Sequence, residues 1–320
     1  MTQAMVHHLP AETSSLLAAA KAGDERAFRE LVEPYRRALE VHCYRMLGSP
    51  HDAEDVAQET LLRAWRAIER FEPRVQLQTW LYRIATNACL NEIERRPRRP
   101  EPVAPFPDAL VEEAAAPVYE PAARYALREG MELALLAAIQ LLPGRQRAVL
   151  ILRDVLGWTA LEAAELLEST VPAVNSALQR ARSTVDAHLP DARPRAAAAE
   201  ERELLARYVE AWDRDDVDGL VALLREDAVL RMPPQQQVSG AGAIIGFFRD
   251  TAAGGSLTQM RLVPTRANGQ PALVAHRRNA GGELIGHGVL VLDVSGRRVD
   301  AFDAFIDPSL ADFFSAADAA

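Results

Sequence analysis

Seven prolines crowd into the stretch RRPRRPEPVAPFPDALVEEAAAPVYEP, and they decide that this chain cannot fold as one continuous helical body. Each proline lacks a backbone N–H and clashes with the preceding turn, so Pro97, Pro100, Pro102, Pro105, Pro107, Pro117 and Pro121 exclude a helix running through the stretch. The helical textures on its two sides therefore belong to separate domains. The reading is multidomain: an N-terminal tail (1–20), an all-α domain (21–97), a Pro-rich linker (98–127), a second all-α domain (128–190), a tether (191–199) and an α+β domain (200–320). A chain of 320 residues is too long for one small helical module and fits two or three compact units.

The second all-α domain carries DVLGWTALEAAELLESTVPAVNSALQRAR, from Asp154 to Arg182, which reads as a helix-turn-helix. Leu161, Ala164 and Leu167 recur at three-residue spacing in the first helix, and Glu168, Ser169 and Thr170 interrupt the pattern with Thr170 as N-cap. In the second helix Val171, Val174 and Leu178 share one face. Pro172, Ala173, Asn175, Ser176, Gln179, Arg180 and Arg182 then point outward. Asn and Gln can pair with adenine edges, Arg with guanine or phosphate, and a small Ala lets the helix sit deep in a major groove. The alternative is an ordinary helical hairpin with a solvated polar face.

Charge argues against a free-standing DNA binder. The formal net charge is -9, whereas a domain that holds DNA by its own phosphate contacts is usually basic. No apolar run reaches the roughly 20 residues of a membrane span, and MTQAMVHHLP lacks the basic-then-apolar order of a signal peptide. A cytoplasmic protein is expected. Cys43 and Cys89 are the only cysteines and form no CxxC, so neither a structural disulfide nor a zinc site is expected.

The first all-α domain has its own start signal. Ser49 and Pro50 supply an N-cap and a first-turn proline, with Asp52 three residues after the cap in place of the Glu of a capping box. Along the helix that follows, Ala53, Val56, Ala57, Thr60, Leu61, Ala64, Trp65 and Ile68 line one face. Asp52, Asp55, Gln58, Glu59, Leu62, Arg63 and Arg66 are left exposed, acidic early and basic late, which on charge alone suits a solvated helix complementing its dipole. The next helix, LQTWLYRIATNACLNEIERR, sets aromatics among Arg83, Thr86, Asn87 and Asn91. That mixture suits single-stranded nucleic acid, although Trp80, on an apolar stripe with Leu81 and Ile84, reads as core.

The order DAEDVAQETLLRAWR, LQTWLYRIATNACLNEIERR and LPGRQRAVLILRDVLGWTALEAAELLESTVPAVNSALQRAR resembles regions 2 and 4 of a sigma-70 family RNA polymerase sigma factor. With no other regions between them, it is similar to the extracytoplasmic-function group. The resemblance implies core RNA polymerase, through its β′ and β subunits, and promoter DNA as partners. It implies that Asp52, Asp55, Gln58, Glu59, Leu62, Arg63 and Arg66 dock on the β′ coiled coil, reversing the solvated-surface reading. It implies minus-10 recognition and melting by Gln76, Gln78, Arg83, Asn87, Asn91, Arg95 and Arg96, and minus-35 reading by the helix from Val171 to Arg182. A negative net charge is then no paradox, because polymerase supplies much of the basic surface. In such proteins the linker passes through the RNA-exit region of polymerase, and the acidic residues Glu101, Asp108, Glu112, Glu113 and Glu120 could mimic nucleic acid there.

Beyond residue 200 come two helices and then short β runs bounded by Asn268-Gly269, Gly281-Gly282 and Ser295-Gly296, which are hairpin signals. LLARYVEAWDRDDVDGLVALLREDAVLRMPP, SGAGAIIGFF and VDAFDAFIDPSLADFF resemble the SnoaL-like fold, which implies a cone of curved sheet and helices around a cavity. His276, His287, Asp293 and Asp303 are candidates to line it, with His287 and Asp293 on one face by strand alternation. No Ser/His/Asp or metal-ligand constellation has a definite spacing, so no catalytic residue, metal or cofactor is expected. Three roles compete: control of the two sigma domains in cis, a small-molecule sensor, and a cyclase-like enzyme using a carboxylate. A stand-alone helix-turn-helix regulator is the remaining alternative for the whole chain.

Overall fold

The computed structural model describes residues 11–73, 76–95, 103–114, 133–188, 198–232 and 237–318, and the chain divides into two compact units. The first unit holds the helices α1 (Ala11–Lys21), α2 (Glu25–Leu47), α3 (Pro50–Ala67) and α4 (Leu77–Arg95). A short helix, α5 (Asp108–Ala114), lies within the proline-rich stretch. The first unit also takes in α6 (Leu133–Gln140) from Ala134 onward, with α7 (Gly144–Leu150), α8 (Ala160–Leu166) and α9 (Val171–His188). Both helical domains expected from the sequence thus share one unit.

Local signals set the helix ends. Asp24 caps α2 by accepting from the N–H groups of Arg26 at 2.9 Å and Ala27 at 3.1 Å, and Gly48, at φ +77°, closes it with an N–H bond to the Tyr44 carbonyl. Ser49 caps α3 by accepting from the Asp52 N–H at 3.3 Å, with Pro50 in the first turn. Phe28 and Trp65 pack their rings 5.1 Å apart between α2 and α3, and half-buried Trp80 lies 5.0 Å from Phe71. Between α2 and α4, buried His42 meets Thr86 Oγ1 at 2.9 Å, and burial first, then Arg45, pulls its pKa down to about 3. Cys43 and Cys89 are buried free thiols. The Cys43 pKa is pushed up by a hydrogen bond with Cys89 and by burial, which keeps it a neutral packing group.

The helix-turn-helix has a well-capped first helix. Thr159 and Glu162 form a reciprocal capping box, Thr159 Oγ1 accepting from Glu162 N–H at 3.2 Å and Glu162 accepting from Thr159 N–H at 2.7 Å. This start fixes a phase that the sequence reading missed: Leu161 is 59% exposed, and Ala163, Ala164, Leu166 and Leu167 carry the packing instead. Thr170 caps α9 through the Ala173 N–H at 3.3 Å. Val174, Leu178, Ala181 and Val185 form its buried stripe.

The second unit contains α10 (Ala198–Asp213), α11 (Val217–Leu223), β1 (Leu224–Arg231), β2 (Val238–Ser239), α12 (Ala241–Phe247), β3 (Met260–Ala267), β4 (Gln270–Arg278), β5 (Leu284–Ser295), β6 (Arg298–Phe305) and α13 (Pro308–Ala317). The sheet order is β2-β1-β6-β5-β4-β3, antiparallel except for the β1–β6 pair. All three expected hairpins form. Asn268 at φ +55° and Gly269 at φ +74° make the two-residue turn between β3 and β4, as right-handed strand twist requires. One sheet face packs Leu273, Leu290, Leu292 and Phe302 against Tyr208, Trp212 and Phe248. The other carries α13, which packs on β5 and β4.

Candidate nucleic-acid interface and the linker seat

Pro172, Ala173, Asn175, Ser176, Gln179, Arg180 and Arg182 are all exposed on α9, opposite its buried stripe. Arg182 is held by Asp154 through two hydrogen bonds of 2.7 and 2.8 Å, a bidentate pair that fixes its guanidinium. Asp154 belongs to the π-helical turn Ile151–Val155 that ends α7. A polar exposed face with a small alanine and an arginine has the composition that major-groove reading calls for.

On α4, Arg83, Asn87, Asn91 and Arg95 are exposed at four-residue spacing and form a single stripe. Gln76 is exposed just before the helix and Gln78 is half-buried in its first turn. Arg95 bonds Glu92 at 3.2 Å, and Arg83 pairs with Glu168. Arg96 lies outside the described residues. Thr86, which the sequence set among the polar groups, is fully buried on His42.

The α3 surface has Asp55, Gln58, Leu62 and Arg66 exposed, with Asp52, Glu59 and Arg63 half-exposed. Arg63 bonds Glu59 at 2.8 Å and holds that carboxyl below its usual range. Leu62 is 51% exposed among these charges. An apolar side chain with a charged rim is the composition of a protein-docking patch.

The second unit holds a feature absent from the sequence reading. Residues 104–109, from within the proline-rich stretch, belong to it. Phe106 is fully buried, with its ring 5.6 Å from that of Phe313 on α13. Its N–H donates to Asn268 Oδ1 at 2.9 Å, and the Asn268 N–H donates to the Phe106 carbonyl at 3.1 Å. Pro107 bridges Ala267 at the sheet edge. Asp108 accepts from the Gly269 N–H at 2.7 Å and from Arg266 at 3.4 Å. Burying one phenylalanine contributes about 1.5–3 kcal/mol.

A second anchor follows: the Leu133 N–H donates to Gln270 Oε1 at 3.0 Å. Gln270 Nε2 donates to Asp293 at 2.6 Å, and Arg231 joins Asp293 at 2.9 Å to Asp303 at 2.6 Å. Hydrogen bonds that Arg231 donates to both aspartates, Asp303 foremost, outweigh burial and hold it firmly protonated, whereas burial raises the Asp293 pKa. The cue available in sequence was Phe106 itself, a large apolar side chain between two prolines in an otherwise polar linker.

These contacts correct the expected cavity residues. Asp303 and Asp293 are taken up by Arg231, and His276 meets Ser315 of α13 at 3.3 Å, so these three lie away from the cone. His287 alone lines it. The register shift opposite Ala275 and His276 pairs Ala275 with Gly288 and His276 with Gly286, which breaks the alternation that put His287 and Asp293 on one face. Burial first and Arg277 second lower the His287 pKa. The slit it shares with Trp212, Phe248, Met260 and Leu290 has about 30 Å³ of free space, enough for about one water. Among the described residues no group of acidic, His or Cys side chains could hold a metal ion, and no helix is long and apolar enough to cross a membrane.

Comparison with known proteins is consistent along the chain. Residues 31–99 match the Sigma-70 region 2 family, residues 132–185 the Sigma-70 region 4 family and residues 205–307 the SnoaL-like domain. The chain is 42% identical over 315 residues to the ECF RNA polymerase sigma factor SigG of Mycobacterium tuberculosis, covering 90% of this chain and 84% of that one. It is 33% identical over 182 residues to the RNA polymerase sigma-H factor of Pseudomonas aeruginosa, covering 55% of this chain and 92% of that protein. The crystal structure of the extracytoplasmic function sigma factor SigJ of Mycobacterium tuberculosis aligns with a TM-score of 0.58 at 23% identity, over 88% of this chain and 96% of that one.

Proposed function

The chain belongs to the extracytoplasmic-function sigma factors of the sigma-70 family, and on that premise we propose how its surfaces divide the work and how its last domain controls them. It is an RNA polymerase sigma factor with a SnoaL-like domain fused at its C-terminus, a transcription factor and not an enzyme. Its partners are core RNA polymerase and promoter DNA. In our reading α3, with Leu62 at its centre, docks on the β′ subunit, and region 4 also engages the β subunit. The α4 stripe of Arg83, Asn87, Asn91 and Arg95, with Gln76, Gln78 and Arg96, reads and opens the minus-10 element. The exposed face of α9 reads the minus-35 element. A protein that works on polymerase works in the cytoplasm.

Control in cis is carried by the seat of Phe106. The linker is anchored at Phe106 on Asn268 and again at Leu133 on Gln270, and the two anchor residues stand two positions apart. The 26 residues between Phe106 and Leu133 then add no reach. A free chain from Arg95 to Leu133 could span roughly 125 Å, at ~3.3 Å per residue; with both anchors made, the span falls to roughly 45 Å. A linker held this way cannot extend between two separated domains or thread a channel. The C-terminal domain therefore restrains the sigma domains until the linker leaves its seat. The small-molecule reading is weaker, because the slit beside His287 would have to open before it admitted anything larger than water.

The experiment that separates a sigma factor from a stand-alone regulator is promoter binding with and without core polymerase at physiological salt. The net charge of -9 predicts promoter-specific binding only with core present. Equal sequence-specific binding by the isolated chain would favour the stand-alone regulator.

A further inference from the structure

Gln270 opens β4 two positions after Asn268, and its buried side chain makes the second linker anchor. A side-chain amide has two ends of opposite character, a carbonyl that accepts and an NH2 that donates. Exchanging the ends takes almost no space and reverses both hydrogen bonds. The anchor at Leu133 therefore depends on whatever orients this one amide.

The orientation is set on the neighbouring strands. Arg231, at the end of β1, stands opposite Asp303 on β6 and donates to it from Nε at 2.6 Å and from Nη2 at 2.8 Å. The same Nη2 donates to Asp293 Oδ2 on β5 at 2.9 Å. A guanidinium has no acceptor, so the atom that faces it has to be one. Burial first pushes the Asp293 pKa up, the hydrogen bond from Arg231 pulls it down, and Asp303 adds to the rise. With Arg231 beside it, the ionised carboxylate offers only acceptors, and its Oδ1 accepts from Gln270 Nε2 at 2.6 Å.

Polarity is then fixed along the whole row. Arg231 donates, Asp293 accepts twice, and Gln270 has to turn its NH2 towards Asp293. Its carbonyl is left for the Leu133 N–H, from which it accepts at 3.0 Å. Leu133 opens α6, and a helix supplies no acceptor of its own for its first N–H groups. Turned the other way, Gln270 would set its NH2 against that N–H, two donors facing each other in a buried place.

We infer that Asp293, held by Arg231, is a positioning residue for the linker: it fixes the amide of Gln270 and so decides whether the second anchor is made. The inference rests on control through the linker, as proposed above, and gives the Arg231–Asp293–Asp303 cluster a part in it. Asp293 acts on the linker through Gln270. When the anchor is lost, the 26 residues between Phe106 and Leu133 regain a reach of roughly 85 Å, at ~3.3 Å per residue.

Two substitutions in the full-length protein, one that reverses the row and one that restores it, test this. Asp293→Asn keeps the shape of the side chain. Its carbonyl has to face Arg231, so its NH2 faces Gln270, which then has to turn its own carbonyl away from Leu133. The Leu133 amide should exchange its hydrogen about tenfold faster or more. Gln270→Glu alone sets two carboxylates together at neutral pH and should loosen Leu133 as well. Combined, the two substitutions restore every donor and acceptor: the carboxylate at position 270 accepts from the amide at position 293 and from Leu133, and the net charge is that of wild type. Leu133 exchange should return to within about twofold of wild type. Asp293→Asn should also raise run-off transcription with core polymerase about threefold or more at limiting concentration, and the double variant should bring it back. Unchanged Leu133 exchange in Asp293→Asn, or no recovery in the double variant, would overturn the inference. Where a single variant does not fold, recovery of the fold by the double variant supports the inference and its absence overturns it. Loss and recovery of Leu133 protection with transcription unmoved would leave the positioning role standing and remove the linker control.

Discussion

Phe106 and Asn268, 162 positions apart in the chain, exchange two hydrogen bonds, one through the asparagine side chain and one between backbones. Asn268 also forms half of the αL turn that joins β3 to β4. One residue therefore shapes a hairpin and grips the linker. The seat is built into the edge of the sheet, outside the cone.

Replacing the buried aromatic should release the linker selectively. Phe106→Ala removes a fully buried ring and should cost the seat about 3–5 kcal/mol. Hydrogen exchange would show residues 104–109 and the Asn268 amide exchanging at least about a hundredfold faster, with the β5–β6 amides unchanged. Uniform acceleration across the sheet would mean that Phe106 is a general core residue.

The Asp108 carboxylate is exchanged for a neutral isostere in Asp108→Asn, which keeps an acceptor for the Gly269 N–H but loses the ion pair with Arg266. Part of that pair is exposed, so the effect should be about 1 kcal/mol or less. Linker exchange should rise no more than about fivefold, well short of the Phe106 variant. An effect as large as that of Phe106→Ala would move the main anchor from the ring to the carboxylate.

On α3, the helix proposed to dock on polymerase, Leu62→Asp should weaken core binding about tenfold or more, since it removes the exposed apolar group that docking would bury. Thermal stability should hardly change. Equilibrium titration of labelled core polymerase measures the first and a melting curve the second. Unaltered core affinity would return α3 to an ordinary solvated helix.

Minus-10 reading is assigned to the exposed α4 stripe, so Asn87→Ala combined with Asn91→Ala should flatten sequence preference at the minus-10 element while leaving core binding intact. Transcription from a panel of minus-10 variants gives the answer. An unchanged preference profile would remove both asparagines from recognition.

His42 makes region 2 sensitive to acid. Its folded pKa of about 3 lies below the ordinary value of 6.5, because burial and Arg45 disfavour the charged ring. Above about pH 6.5 neither the folded nor the unfolded chain protonates it, and its neutral form costs nothing. As pH falls from 6.5 towards 3 the unfolded chain takes up a proton that the folded chain refuses, and stability drops by up to about 1.4 kcal/mol per pH unit. His42→Gln should flatten the pH dependence of region 2 melting in that window. An identical slope in wild type and variant would show that other groups govern acid unfolding.

What the sequence made legible follows from the range of each interaction. Ser49, Thr170 and the Asn268-Gly269 turn act on neighbours within three or four residues, so they could be read directly. Leu161 was misplaced because three-residue spacing does not fix a helix phase, which the Thr159–Glu162 box sets. His287 lines the cone as expected, but its shared face with Asp293 did not follow from alternation, because the register shift depends on the partner strand β4. Thr86 looked like a reading residue until His42, 44 positions away, accounted for its hydroxyl. The linker seat is the longest-range case: proline content identified a segment that could not be one helix, yet nothing local reveals that Phe106 is buried against Phe313.

The most direct test is multi-round run-off transcription with core RNA polymerase, comparing full-length protein, its Phe106→Asp variant and a chain ending at Ala199. Control through the linker predicts promoter-dependent transcripts from all three, with the Phe106→Asp and shortened chains at least about tenfold more active at limiting concentration. Equal activity of wild type and Phe106→Asp, with the seat shown to be open in the variant, would contradict it.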